Sequence, residues 1–192
     1  MCEVALRNAI HNTMRQLYSD TWYDQTELRD IGNRQLVDAK KSICKAYRPV
    51  IPCRVVAELS FGFWTSMFED HFVHNTLFLP GGIRHVFPQL PKSQHHRKFI
   101  KDRLTKIRQL RNRVFHHERI IHWKDLPEQY DRLIETIGWI SPELREMALK
   151  LDRFSEIHSR GIGPWIASVR NHWPAKLAAQ SDDTKTSGTQ QP

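Results

Sequence analysis

Leu104-Thr105-Lys106-Ile107-Arg108-Gln109-Leu110-Arg111-Asn112-Arg113-Val114-Phe115-His116-His117-Glu118 is the stretch that decides how this chain folds. Projected at about 100° per residue, Leu104, Ile107, Leu110, Val114 and Phe115 fall on one stripe, and nothing alternates with the period of two that a strand requires. The segment therefore reads as an amphipathic helix. Arg111 falls inside the stripe, between Val114 and Phe115, where a cation is costly unless something pairs with it. Asn112 and His116 are spaced i, i+4 and stand together on the flank of that stripe.

Working outward, the same period recurs along the chain. Residues 2–18 place Leu6, Ile10, Thr13, Met14 and Leu17 on one face. A second, less regular helix is expected over 26–47, stopped ahead of Pro49 and weakened by Gly32. Pro52 suits the first turn of a third helix running to about residue 71, apolar on more than one face and so expected at the centre. Pro80, Gly81, Gly82, Pro88 and Pro91 mark residues 75–93 as a loop ahead of the motif helix, expected over 94–117. Pro127 opens another helix to about residue 139. Ser141-Pro142-Glu143 has the form of an N-cap followed by Pro at the first helical position, opening a helix to about residue 158 that Gly161, Gly163 and Pro164 end. A short segment over 165–173 follows. The expectation is an all-α bundle with additional C-terminal helices, one domain over 1–173, and a disordered polar tail over 174–192.

Composition bounds the function. With 192 residues, 40% hydrophobic and 26% charged, the chain is long enough to bury one core. No run approaches the roughly 18–20 apolar residues of a membrane span. The first residues carry Glu3 and an amphipathic pattern rather than an apolar leader, and three cysteines without a C-x-x-C pair imply reduced thiols. A cytoplasmic address is expected. The net charge of +8 favours a polyanionic partner. No Gly-rich phosphate loop is present, and the paired histidines His95-His96 and His116-His117 lack metal-ligand spacing, so neither nucleotide hydrolysis nor a metal site is expected. Phe61, Phe63, Trp64 and Phe68, at helical spacing around Leu59 and Met67, read as core and not as a base-stacking platform.

Arg111-Asn112 followed by His116 resembles the Arg-x4-6-His signature of HEPN domains, and the wording from Leu110 to Glu118 is similar to the Abi-like (abortive infection) branch of that superfamily. Two more stretches resemble the same branch: Glu3-Val4-Ala5-Leu6-Arg7-Asn8-Ala9-Ile10 and Val56-Ala57-Glu58-Leu59-Ser60-Phe61-Gly62-Phe63-Trp64. The resemblance covers roughly residues 3–120. It implies a HEPN-like helical bundle and a metal-independent endoribonuclease without cofactors, serving as an antiphage or toxin component. Its partners would be RNA, a second copy of the chain with the motifs facing one another, and an RNA or protein antitoxin. The alternative is a HEPN-fold module that holds a regulatory RNA without cutting it.

The residue types suit that chemistry. RNA carries its own nucleophile, the 2′-hydroxyl, so cleavage needs a base near neutral pKa and a cation for the charge that builds on phosphorus. His116 is the candidate base, Arg111 the phosphate clamp, and Asn112 orients His116 or donates to phosphate. Glu3 and Arg7 share one face at i, i+4, which allows a surface pair. Alternatively Glu3 anchors Arg111 or Arg7 inside the bundle. Asn8, Arg108, Arg113 and His117 complete the expected supporting or RNA-binding set.

Overall fold

A computed structural model describes residues 1–25, 28, 30–69 and 81–172. Every regular element among them is helical. The expected tail over 174–192 lies outside the described residues. The chain divides into two compact units, Met1–Leu151 and Asp152–Pro192.

In the first unit, α1 (Cys2–Leu17) buries Leu6, Ile10, Thr13 and Met14, the expected stripe except for Leu17, which is exposed. Tyr18 caps the end of α1, and the next buried hydrophobic residues are Trp22 and Tyr23 in the short helix α2 (Trp22–Gln25). Trp22 is fully buried, and its Nε1 donates to His11 Nδ1 at 3.1 Å, which answers its one polar atom. The helix expected over 26–47 is α3 (Asp30–Lys45). Gly32 is buried there, and a Cβ added to it would lie 3.4 Å from Leu28 Cβ and 3.9 Å from the Phe63 ring, so this glycine serves close packing. Tyr47 closes α3 at φ 54, with Tyr47 N–H donating to Cys44 O and Arg48 N–H to Ile43 O, a Schellman ending.

The single central helix expected from Pro52 to about residue 71 is two helices, α4 (Pro52–Glu58) and α5 (Phe61–Ser66). Leu59 is extended at ψ 133, and Ser60 Oγ accepts from Phe63 N–H at 3.2 Å, so a serine cap restarts the helix inside an apolar run. The bend lets Phe61, Phe63 and Trp64 all be buried although they point in several directions around a helix. Of the loop expected over 75–93, residues 75–80 lie outside the described residues, and the rest holds a short helix, α6 (Gly82–Val86), and most of a 3-10 turn over Lys92–Gln94. Then come α7 (Arg97–Phe115), α8 (Leu126–Ile140) and α9 (Pro142–Leu151). Ser141 Oγ accepts from Leu144 N–H at 3.1 Å, the cap that the Ser-Pro-Glu triplet predicts.

The core forms where α1 packs on α5, α6 and α8, and α7 packs on α5 and α8. Its largest fully buried side chains include Trp22, Trp64, Phe63, Phe68 and Phe87. Burying each such side chain contributes about 1.5–3 kcal/mol before ordering costs are subtracted.

The second unit starts where the last long helix was expected to continue. Helix α9 stops at Leu151, and α10 (Phe154–Arg160) follows, ended by Gly161 at φ 60. Neither Gly nor Pro marks the break at 152–153, and no side-chain cap forms at Arg153. Helix α11 (Gly163–His172) completes the described residues.

Candidate functional site at the C-terminal end of α7

Helix α7 buries Ile100, Leu104, Ile107 and Leu110, and there its apolar stripe leaves the core. Val114 and Phe115, expected on the buried stripe, are 49% and 64% exposed. Glu3, in the first turn of α1, meets α7 at Arg111, and the four residues after Arg111 run past that meeting point. The last turn therefore projects an apolar surface instead of filling the core.

Arg111 is held from three sides. Its Nε donates to Glu3 Oε2 at 3.1 Å, and its Nη1 donates to Asn112 Oδ1 at 3.4 Å. Its guanidinium carbon lies 3.9 Å from the centroid of the Phe115 ring. The ion pair is about one third exposed on both partners, so the pair is worth about 0.2–1 kcal/mol, and the cation–π contact about 0.5–1 kcal/mol. These energies are modest, but the three contacts fix direction. A guanidinium has five N–H donors, and two of those on Arg111 are engaged here.

Of the two options for Glu3, the carboxylate joins Arg111 rather than Arg7. Arg7 instead turns to its neighbour, donating from Nε to Asn8 Oδ1 at 3.3 Å. Asn112 turns to Arg111, so no side-chain hydrogen bond joins Asn112 and His116; those two residues are linked through the backbone, His116 N–H donating to Asn112 O at 2.9 Å. His116 is the C-cap residue of α7 and is exposed.

The chain turn that presents His116 is a Schellman ending. His117 N–H donates to Val114 O at 3.1 Å and Glu118 N–H to Arg113 O at 2.9 Å. His117 takes φ 55, a left-handed conformation that costs a non-glycine residue about 1–2 kcal/mol. The side chains of Arg113 and Glu118 form an ion pair across the same turn. The fold thus fixes the backbone on both sides of His116 while its ring faces solvent.

Arg108 is tied down elsewhere. It is half-buried, and its Nη1 donates to Thr65 Oγ1 at 3.2 Å, so it pins α7 to α5. Phe115, Glu118 and Thr65 are the partners that sequence reasoning did not assign. Phe115 was within reach of it, because Arg111 and Phe115 are spaced i, i+4 and so share one helix face. Among the described residues, no group of three or more His, Cys, Asp or Glu side chains is arranged to hold a metal ion, and no helix is long and apolar enough to cross a membrane. Phe61, Phe63, Trp64 and Phe68 are buried core residues.

Side-chain contacts therefore join Glu3, Arg111, Asn112 and Phe115 in one half-exposed cluster. His116 follows at the end of the same helix, held through its backbone and not by a side-chain contact to that cluster, with Arg113 and His117 in the same turn and Arg108 anchored to α5. Arg7 and Asn8 stand one helical turn along α1 from Glu3. No protein-family model, curated protein or solved structure matches the chain.

Proposed function

We propose that this chain is a metal-independent endoribonuclease of the HEPN, Abi-like type, acting in the cytoplasm as an antiphage or toxin component. The observation that carries the reading is the Arg111 guanidinium, aimed by Glu3, Asn112 and Phe115 with donors to spare, five residues before an exposed, backbone-fixed His116. In this reading Arg111 grips the non-bridging oxygens of the scissile phosphate. His116 takes the proton of the 2′-hydroxyl, whose oxygen attacks phosphorus. The P–O5′ bond breaks, a proton is returned to the departing 5′-oxygen, and a 2′,3′-cyclic phosphate forms. A general base of this kind contributes about 10² to 10⁴ in rate.

Base and acid work best on opposite sides of the phosphorus, and one chain offers one His116. A homodimer with the motifs facing each other supplies two, because an isologous contact presents the same patch twice. The exposure of Met1, Val4, Val114 and Phe115, which flank Glu3 and Arg111 in sequence, supports such an interface. Association of this kind also gives an antitoxin, RNA or protein, a surface to block.

The test is incubation of purified protein with single-stranded RNA in EDTA, wild type beside His116→Ala. The expected result is cleavage by wild type only, with cyclic phosphate and 5′-hydroxyl ends and no cutting of DNA. Dependence on added Mg²⁺ or Mn²⁺, or 3′-hydroxyl products, overturns the mechanism. Tight RNA binding with no cleavage points to the module that only holds RNA.

A further inference from the structure

We propose that the seam between α7 and α8 holds a second site, a pocket for a phosphoryl group. Phe99, Asp102, Arg103 and Lys106 recur along one stripe of α7 and, with Arg132 of α8, line a cavity of about 170 Å³. The helices run antiparallel there: Phe99 meets Trp139 at 5.8 Å between ring centroids, and Arg103 Nη2 meets Glu135 Oε2 at 2.6 Å. Lys106 and Arg132 follow in the same register, one from each helix. Neither has an ion pair among the described residues, so two like charges line one cavity with no carboxylate paired to either. Asp102, one turn before Lys106 on α7, offsets part of the repulsion between them without forming an ion pair with either.

The third cation is built in. Arg103 is only 13% exposed, with its guanidinium carbon 4.4 Å from the Trp139 ring and 5.6 Å from the Phe99 ring. Glu135 takes one Nη, while the other, Nη1, is buried with no acceptor. Nη1 is closed to solvent as Arg103 stands, so a phosphoryl oxygen entering beside Lys106 and Arg132 answers that unmet donor with a shift of the Arg103 side chain toward the cavity. Two carboxylates oppose it: Glu135 is already engaged by Arg103, and Asp102 lines the cavity without an ion pair among the described residues. Three cations against these two leave the pocket net positive. The wall offered by Phe99 is apolar, which suits the sugar or base attached to a phosphate better than a hydrated bare ion.

The source of the phosphoryl group is either an RNA backbone or a free phosphate compound. The RNA source rests on the function proposed above: Arg103 and Arg111 are eight residues apart on one helix, about 12 Å along its axis. A strand gripped at Arg111 reaches the pocket a few nucleotides away.

The experiment uses the full chain, wild type and a Lys106→Ala/Arg132→Ala double variant, both checked for an unchanged far-UV spectrum and melting temperature. Arg103 is left intact because it packs between rings. Inorganic phosphate is titrated while the side-chain Nε–H signals of Arg103 and Arg132 are followed by NMR. Binding of a short single-stranded RNA and of DNA of the same sequence is then measured against salt. The expected result is saturable movement of the Arg103 signal in wild type and none in the double variant. Strand affinity should fall in the variant, with the log–log salt slope flatter by about 0.7 because one phosphate fewer is neutralised. Phosphate that leaves Arg103 unmoved, or a variant that binds strands with wild-type affinity and slope, overturns the pocket even if RNA is cut normally. Saturable phosphate binding in a protein that neither binds nor cuts RNA keeps the pocket, for a free phosphate compound, and removes the RNA reading instead.

Discussion

Replacing Arg111 by lysine keeps the charge and removes the fork, which separates a role in folding from a role in phosphate recognition. The pair with Glu3 is one third exposed on both sides, and exposed pairs are worth about 0.2–1 kcal/mol. Lysine retains part of that attraction as a point charge. The cation–π contact lies over a ring that is 64% exposed and contributes about 0.5–1 kcal/mol, again partly retained by an ammonium. The stability lost in Arg111→Lys is therefore about 1 kcal/mol at most, a fall of about 2–4 °C in melting temperature for a domain of this size. In the reading proposed above, cleavage would respond on another scale. Lysine cannot donate to Glu3, Asn112 and phosphate in one plane, and losing a preorganised donor costs about 10² to 10³ in rate. Initial rates on a labelled single-stranded RNA in EDTA, with a thermal melt on the same preparation, measure both. A lysine variant cutting within tenfold of wild type would show that Arg111 is not the phosphate clamp. A variant that fails to fold would show that its contacts matter more to the bundle than their exposure implies.

Other expectations follow from the surrounding fold. His11 accepts the Trp22 indole hydrogen bond at Nδ1, and burial, then the nearby Arg15 and Arg7, hold its pKa below the usual 6.5 against the opposing pull of Asp20. A His depressed in the folded state contributes stability above pH 6.5 that is lost as pH falls through the lower folded value. The melting temperature should thus drop between pH 7 and pH 5, and His11→Gln should flatten that drop; an equal slope in the variant rules out this origin. Ser60→Ala removes the cap that starts α5 and should cost about 1 kcal/mol in urea unfolding, whereas no change would mean that packing alone sets the bend. Burial pushes the Cys2 thiol up to about 12, while Cys44 and Cys53 are exposed. A thiol reagent at neutral pH should label Cys44 and Cys53 in the native protein and reach Cys2 only on unfolding, as mass spectrometry of the digested protein would reveal.

Legibility in the sequence followed the kind of force involved. Helix faces that bury into the core announce themselves by period, as Leu6, Ile10 and Met14 do in α1 and Leu104, Ile107 and Leu110 do in α7. Caps with a distinctive triplet were equally readable, as Ser141-Pro142-Glu143 shows. Ser60 was not, because it sits inside a hydrophobic run whose period continues on both sides; only the hydrogen bond to Phe63 N–H reveals the break. The break after Leu151 carries no Gly, Pro or side-chain cap at all. Val114 and Phe115 follow the buried stripe faithfully in sequence, yet periodicity says which face a residue shares and not how far the neighbouring helix extends. For the same reason the partner of Glu3 stayed open between Arg7 and Arg111. The choice depends on the register of α1 against α7, elements about a hundred residues apart.

Helix α7 itself shows how so basic a segment is tolerated in the bundle. Its basic residues are Arg97, Lys98, Lys101, Arg103, Lys106, Arg108, Arg111 and Arg113, against the single acid Asp102. Left unpaired, that density would repel itself. Four of them meet carboxylates on other segments: Lys101 with Glu69, Arg103 with Glu135, Arg111 with Glu3 and Arg113 with Glu118. Arg97 donates to Phe68 O and Arg108 to Thr65 Oγ1. Those contacts turn most of the charge into attachments that hold α7 to α1, α5 and α8, and they explain why a helix with so few apolar residues docks at all. Lys98 and Lys106 are exposed and have no such partner among the described residues. In the reading proposed above, a polyanion would meet a helix on which most guanidinium groups are already engaged and few ammonium groups remain free to follow it. Forks held at Arg111 and Arg103 would then favour phosphate at fixed positions over the diffuse, sliding attraction that a row of mobile lysines would give.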